Sequence, residues 1–261
     1  MTTGFPTQRD GARIHDLRVA HADAYVVEPI DGGRGPAALF LHWFDTEAPD
    51  GNRTQFLEEA IELAREDGFV SILPQGQFPW AGDPTDAAAD AQRIRTEVER
   101  HRMALDHLAQ RADVDANRIG LIGHDFGGMH GILLAADDPR IAATIVIAAT
   151  PRWGDWFLPF WKIEGDRFDY LRALSGLDPI SRIGDLAPRP VLLQFARNDF
   201  FIAAMTGLEL HRAAGEPKEM RAYDADHSVR DAQARTDRRQ FLVRTLSATG
   251  SSPAAPARAE E

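Results

Sequence analysis

RIGLIGHDFGGMHG, residues 118–131, runs from a short apolar strand through a tight glycine turn into a helix and puts Asp125 at the tip of the turn. A turn of that shape usually presents a serine. A serine alkoxide attacks an ester carbonyl and leaves a stable acyl-enzyme. A carboxylate attacking the same carbonyl would form an anhydride, which tends to collapse backwards. It does better at a saturated carbon bearing a halide or an epoxide oxygen, where in-line displacement leaves an alkyl ester on Asp125. Water activated by an imidazole can then attack the carbonyl carbon of that ester.

The elements that must hold such a tip can be read from hydrophobic pattern. Extended segments are expected at Ile14–Val19, Ala24–Val27, Pro36–His42, Phe69–Leu73, Arg118–Gly123, Ala143–Ala149, Pro190–Phe195 and Lys218–Tyr223. The middle five are continuous apolar runs rather than alternating ones, as in strands buried on both faces of a parallel sheet. Helical patterns lie between them at Arg53–Glu66, Asp86–Arg111, Gly127–Ala136, Ala203–Ala214 and Ser228–Leu246. Strand and helix alternation predicts an α/β fold, a mostly parallel, doubly wound sheet of about eight strands. Pro151–Asp185 breaks the alternation and carries three of the five tryptophans, which suits a short aromatic lid inserted over the C-terminal edge of the sheet. One domain is expected over residues 1–247, and the small, polar, Pro-rich composition of 248–261 reads as a disordered tail.

Gly123-His124-Asp125-Phe126-Gly127 matches the G-x-nucleophile-x-G elbow, and from about Pro36 to Leu246 the chain resembles an α/β-hydrolase. The long helix before VDANRIGLIGH and the RPVLLQ…ND segment resemble the dienelactone-hydrolase-like branch, whose members carry Cys or Ser at the elbow. The GHDFG form is instead similar to haloalkane and haloacid dehalogenases and epoxide hydrolases. The resemblance implies a base on the loop after the last strand, which is His227, and an orienting acid after the preceding strand, which is Asp199; Asp226 is its nearest rival. It further implies an oxyanion hole built from the amide of Phe126 and one from the loop after the third strand, Trp43 or Phe44. His42 can support that loop by hydrogen bonding. His124 and His130 would lie beside or behind the tip, and His101 and His107 fall on an exposed-looking helix. No His-Glu-x-x-His or similar metal pattern is present, and no cofactor is expected.

Leaving-group assistance separates the chemistries. Epoxide opening usually relies on tyrosine hydroxyls, and of Tyr25, Tyr170 and Tyr223 only Tyr170 lies in the lid segment. Halide departure can use indole N–H donors, for which Trp43, Trp153, Trp156 and Trp161 are placed as candidates. Three functions therefore compete: a hydrolase with an alkyl-enzyme intermediate on Asp125, an ester or lactone hydrolase in which Asp125 and His227 activate water directly, and a non-hydrolytic or ligand-binding descendant. The net charge of −11 argues against nucleic-acid binding, which needs a clustered basic surface. Absence of cysteine excludes disulfides and thiol catalysis. With no secretory leader and no apolar run of about 20 residues, the expectation is a cytoplasmic protein acting on a small molecule, off the membrane, with a homo-oligomer left open.

Overall fold

The computed structural model describes residues 6–19, 22–43, 45, 48, 50–79 and 82–246; Phe44 and the segment 248–261 lie outside them. In chain order the elements are β1 (Thr7–Arg9), β2 (Ala12–Val19), β3 (Ala22–Pro29), β4 (Gly35–Leu41), α1 (Leu57–Asp67), β5 (Val70–Pro74), α2 (Ala87–Ala109), β6 (Val114–His124), α3 (Phe126–Asp137) and β7 (Ile141–Ile147). They continue as α4 (Trp153–Phe160), α5 (Arg167–Leu174), α6 (Pro179–Arg182), β8 (Val191–Ala196), α7 (Ala204–Ala213), β9 (Lys218–Tyr223) and α8 (Ala232–Leu246). Among the described residues the strands form one sheet of nine, ordered β1-β2-β3-β5-β4-β6-β7-β8-β9. From β1 to β5 the pairing is antiparallel, and from β5 across to β9 it is parallel.

This is the expected doubly wound architecture, with one strand more than the apolar pattern reveals. β1 is three exposed residues, Thr-Gln-Arg, and so carries no hydrophobic signal. The central parallel strands are buried where they lie in the sheet, as every residue of β5 and β8 and the run Ile119–His124 of β6 testify, while the edge strand β9 is half-buried. Two helices start later than the sequence expectation. Residues 53–56 form turns, so α1 begins at Leu57, and Val229 (φ 44°) adopts left-handed backbone, which no helix can contain, so α8 begins at Ala232.

Topology fixes where a site can be. The chain leaves β4 through α1 to β5 on one side, then returns through α2 to β6 on the other side of β4. That reversal opens a crevice beyond the C-terminal ends of β4 and β6. Asp125 follows β6 directly, and Trp43 follows β4 by two residues. α4, α5 and α6 form the inserted segment between β7 and β8.

Candidate active site

Asp125 has φ 53° and ψ −119°, a conformation that costs an L-residue on the order of 1–3 kcal/mol and persists only where its surroundings over-determine it. They do. The Asp125 amide donates to the Ile147 carbonyl of β7 (2.8 Å), and its own carbonyl accepts from Met129 (2.9 Å). A Cβ on Gly127 would fall 2.3 Å from the Leu41 carbonyl oxygen, and one on Gly123 would fall 2.5 Å from that of Gly127. Strand, turn and helix touch backbone to backbone, and only glycine fits.

The three residues singled out as nucleophile, base and acid converge. His227 Nε2 lies 3.6 Å from Asp125 Oδ2, and His227 Nδ1 donates to Asp199 Oδ2 at 2.9 Å. The other oxygen of Asp199 accepts the amides of Phe201 (2.8 Å) and Ile202 (2.9 Å), so the acid is locked to its own loop. Burial would push the His227 imidazole down, but hydrogen bonds and charge from Asp125 and Asp199 outweigh it and raise it to about 9. Burial also pushes the Asp125 carboxyl up; His227 and the Trp156 indole oppose this, while the charge of Asp199 adds to it. With both carboxylates ionised and the imidazole protonated, the triad carries a net charge of −1.

Several histidines hold the frame in neutral form. His124 donates from Nε2 to the His227 carbonyl (2.9 Å) and accepts at Nδ1 from Gln55 (2.6 Å), whose Oε1 accepts the Trp43 amide (2.9 Å). Burial keeps His124 well below its usual range, so this chain of donors runs in one direction from the β4 loop to the His227 loop. Arg238 reaches the same loop through the Val229 carbonyl (3.3 Å), where buried Val229 sits in left-handed backbone. His42 donates from Nδ1 to the Trp43 carbonyl (2.8 Å) and accepts the Gly76 amide (2.8 Å), which is support for the loop of the kind the sequence suggested. His130 lies behind the elbow and donates to the Phe126 carbonyl. His101 is not exposed as its helical pattern implied: it is buried with its ring 5.8 Å from that of His130.

The aromatic candidates divide. Trp153 Nε1 donates to the Leu177 carbonyl (2.8 Å), Trp161 Nε1 to Asp83 (3.1 Å) and the Tyr170 hydroxyl to Asp90 (2.7 Å). These three donors are engaged within the protein and hold the inserted segment. The Trp153 and Trp161 rings also pack near the Phe126 ring, at 6.3 and 6.5 Å between centroids. The Trp43 amide, expected in the oxyanion hole, is engaged by Gln55, and Phe44 lies outside the described residues. Phe126 occupies the first position of α3, directly after Asp125.

What remains is a cluster of unmet polar atoms. Among the described residues Asp125 Oδ1, His227 Nε2, Trp43 Nε1 and Trp156 Nε1 are buried without a hydrogen-bond partner. The Trp43 and Trp156 rings stand 5.1 and 6.2 Å from that of His227. Buried polar groups are nearly always paired, and while other such atoms are scattered among the described residues, on His15, Arg53, Ser71, His101 and His130, these four stand together around Asp125 and His227. Sequence reasoning missed Gln55 and Phe201; Gln55 reads as one more polar helix position, and Phe201 as an apolar residue in a turn. Among the described residues no group of three or more His, Asp or Glu is arranged to hold a metal, and no helix is long and apolar enough to cross a membrane.

Parallel sheet, strained elbow and a buried histidine after the last strand define an α/β-hydrolase fold. Within it, the model of the Dienelactone hydrolase family matches residues 23–241, and the chain belongs to that family. It is similar to a probable 2-oxo-3-(5-oxofuran-2-ylidene)propanoate lactonase of Bradyrhizobium sp, 32% identical over 47% of this chain and 49% of the relative. It also resembles the quorum-quenching protein AidA of Acinetobacter baumannii (strain MDR-ZJ06), 24% identical over 69% of this chain and 56% of that protein. The chain thus spans about half the length of the curated relatives it matches. Among solved structures, TT1662 from Thermus thermophilus superposes with a TM-score of 0.71 at 18% identity, covering 93% of this chain and 100% of that one. Acetyl xylan esterase 1 from Thermoanaerobacterium sp. JW/SL YS485 does so at 0.67 and 17%, covering 94% and 86%. Likeness at that level speaks to fold alone.

Proposed function

We propose that the chain is a hydrolase of small organic molecules in which Asp125 displaces a leaving group, a halide foremost, from saturated carbon. The observation that carries this reading is the cluster of unmet polar atoms: near Asp125 and His227 stand two indole N–H groups, those of Trp43 and Trp156, that make no ordinary hydrogen bond, the Trp156 indole close enough to Asp125 to oppose the rise of its carboxyl. A leaving anion needs such donors in a dry site. In the first step one Asp125 oxygen bonds to carbon and the carbon–halogen pair leaves as halide, giving an alkyl ester on Asp125. In the second, His227 takes a proton from water and hydroxide adds to the Asp125 carbonyl carbon. Collapse frees the alcohol and restores the carboxylate.

The electrostatics supply a hand-over between the steps. Asp125 is one of two carboxylates that keep His227 charged. Alkylation neutralises it, leaving burial to act against Asp199 alone, so the imidazole gives up its proton when a base is needed. The Phe126 amide is the proposed donor to the oxyanion formed on Asp125. Epoxide opening finds less support, because Tyr170 and Tyr223 donate to Asp90 and Asp237 and the Tyr25 ring is covered by Arg53.

A second reading is favoured by the family and the lactonase relative: Asp125 and His227 together activate water that attacks a lactone or ester directly. Single turnover in ¹⁸O-water separates the two. Label in the Asp125 carboxylate is the outcome of the first, and label in product alone of the second. Under the first reading His227→Gln accumulates an alkyl-enzyme adduct visible by intact mass; a mass that never rises under substrate defeats it.

A further inference from the structure

We infer, building on the reading of an Asp125-centred hydrolase, that the site takes neutral substrates with an apolar, aryl-sized body and rejects carboxylate-bearing ones, with Phe201 as the specificity-determining residue. Two independent observations meet here. One is a continuous aromatic path from solvent to the triad. The Phe201 ring stands 5.3 Å from His227, 5.7 Å from Trp156, 6.3 Å from Phe160 and 5.3 Å from Phe200. Exposure climbs along it, from 47% at Phe201 and 52% at Phe160 to 89% at Phe200. Isolated exposed aromatics are common, but a ladder of them ending on a buried imidazole is a way in for apolar matter. Asp199 sets its inner rung, since the carboxylate that orients His227 also accepts the Phe201 amide.

The other observation is charge. Among the described residues no lysine or arginine makes an ion pair or hydrogen bond with Asp125, His227 or Asp199. Three nearby guanidinium groups have acidic partners elsewhere: Arg152 holds Glu209, Arg53 holds Asp16 and Arg238 holds Glu59, while Arg230 is exposed and acts on His124 and Asp226 through its charge, not through a contact with Asp125, His227 or Asp199. A substrate carboxylate entering this crevice would lose its water and find one cation at its floor, the His227 imidazolium, which Asp125 and Asp199 already pair. A phenyl ring would instead find edges and faces of aromatic side chains at stacking distance.

Matched pairs test this without depending on which chemistry runs. (2-Bromoethyl)benzene and 3-bromopropanoate share the same reacting CH₂–Br carbon, and 4-nitrophenyl 3-phenylpropanoate and mono-4-nitrophenyl succinate share the same reacting carbonyl and 4-nitrophenoxide leaving group. The expected kcat/KM ratio, phenyl over carboxylate, is about 100-fold or more in whichever pair is turned over. Phe201→Arg, at a half-exposed position that tolerates the change, is expected to shrink it about tenfold. Turnover of the ester pair alone with that ratio intact removes the alkyl-enzyme reading and keeps this one. Indole fluorescence titrated with ethylbenzene and with propanoate reads selectivity independently of turnover, and ethylbenzene is expected to bind the more tightly. A ratio at or below one, or tighter binding of propanoate, overturns the inference. So does sedimentation of the wild type as a dimer that Phe201→Arg dissociates with selectivity unchanged, because the ladder would then be a contact between copies.

Discussion

The elbow and the loop that brings His227 to it are held by different forces. At the elbow, backbone meets backbone: Gly127 lies against the Leu41 and His42 carbonyls, and Asp125 is tied to β7 through its own amide. The His227 loop has a backbone tie two residues before the histidine, the Asn198 amide on the Ala225 carbonyl (3.1 Å), but at and after His227 it is braced from outside by side chains, His124 on the His227 carbonyl and Arg238 on that of Val229. A backbone contact has no rotamer to yield, so it fails all at once. A side-chain brace can be weakened by degrees, so position and charge at His227 are the adjustable half of the machinery.

The largest effect that follows is at Gly127. Gly127→Ala drives a Cβ into two carbonyl oxygens that cannot move without separating β4 from α3. A loss of about 3–5 kcal/mol is expected, with melting temperature falling about 2–4 °C for each kcal/mol. A thermal melt within 2 °C of wild type, roughly the shift of a single kcal/mol, would mean that the elbow adapts after all.

His124→Phe should act on the other half. It keeps the ring's bulk but strands the Gln55 amide and the His227 carbonyl, for a stability cost of about 1–3 kcal/mol. A displaced imidazole is expected to lower kcat about 30- to 100-fold with KM little changed. If KM moves and kcat does not, His124 is not what positions the base.

The smallest effect concerns charge. Because His227 is raised from 6.5 to about 9, its contribution to stability is complete below pH 6.5 and is lost as pH rises through 9. The melting-temperature gap between wild type and His227→Gln should therefore narrow over that window. A gap that stays constant would show that the two carboxylates do not hold the imidazolium.

The same division explains what could be read from sequence. β4 to β8, the elbow glycines and the order Asp125, Asp199, His227 were legible because apolar runs, glycines and chain order are local or sequential signals. The donors were not. Nothing along the chain says that Trp161 will meet Asp83, that Tyr170 will meet Asp90, or that Gln55 will claim the Trp43 amide. Each pairing is made between distant segments, and an indole N–H is equally suited to packing, attachment or a ligand. His101 shows the limit from the other side, since a polar helix pattern hid a histidine buried against another one.

The attachments of the inserted segment bear on traffic through the crevice. Tyr170 to Asp90, Trp161 to Asp83 and the Glu164 amide to the Thr85 carbonyl (2.7 Å) rivet it to the start of α2 and the loop before it. A cover fastened along that margin behaves as masonry, not as a shutter. Under the hydrolysis proposed above, reactant and product would then share the unriveted side beside Phe160 and Phe200, and the pace of the cycle would fall to how fast one clears that doorway for the next.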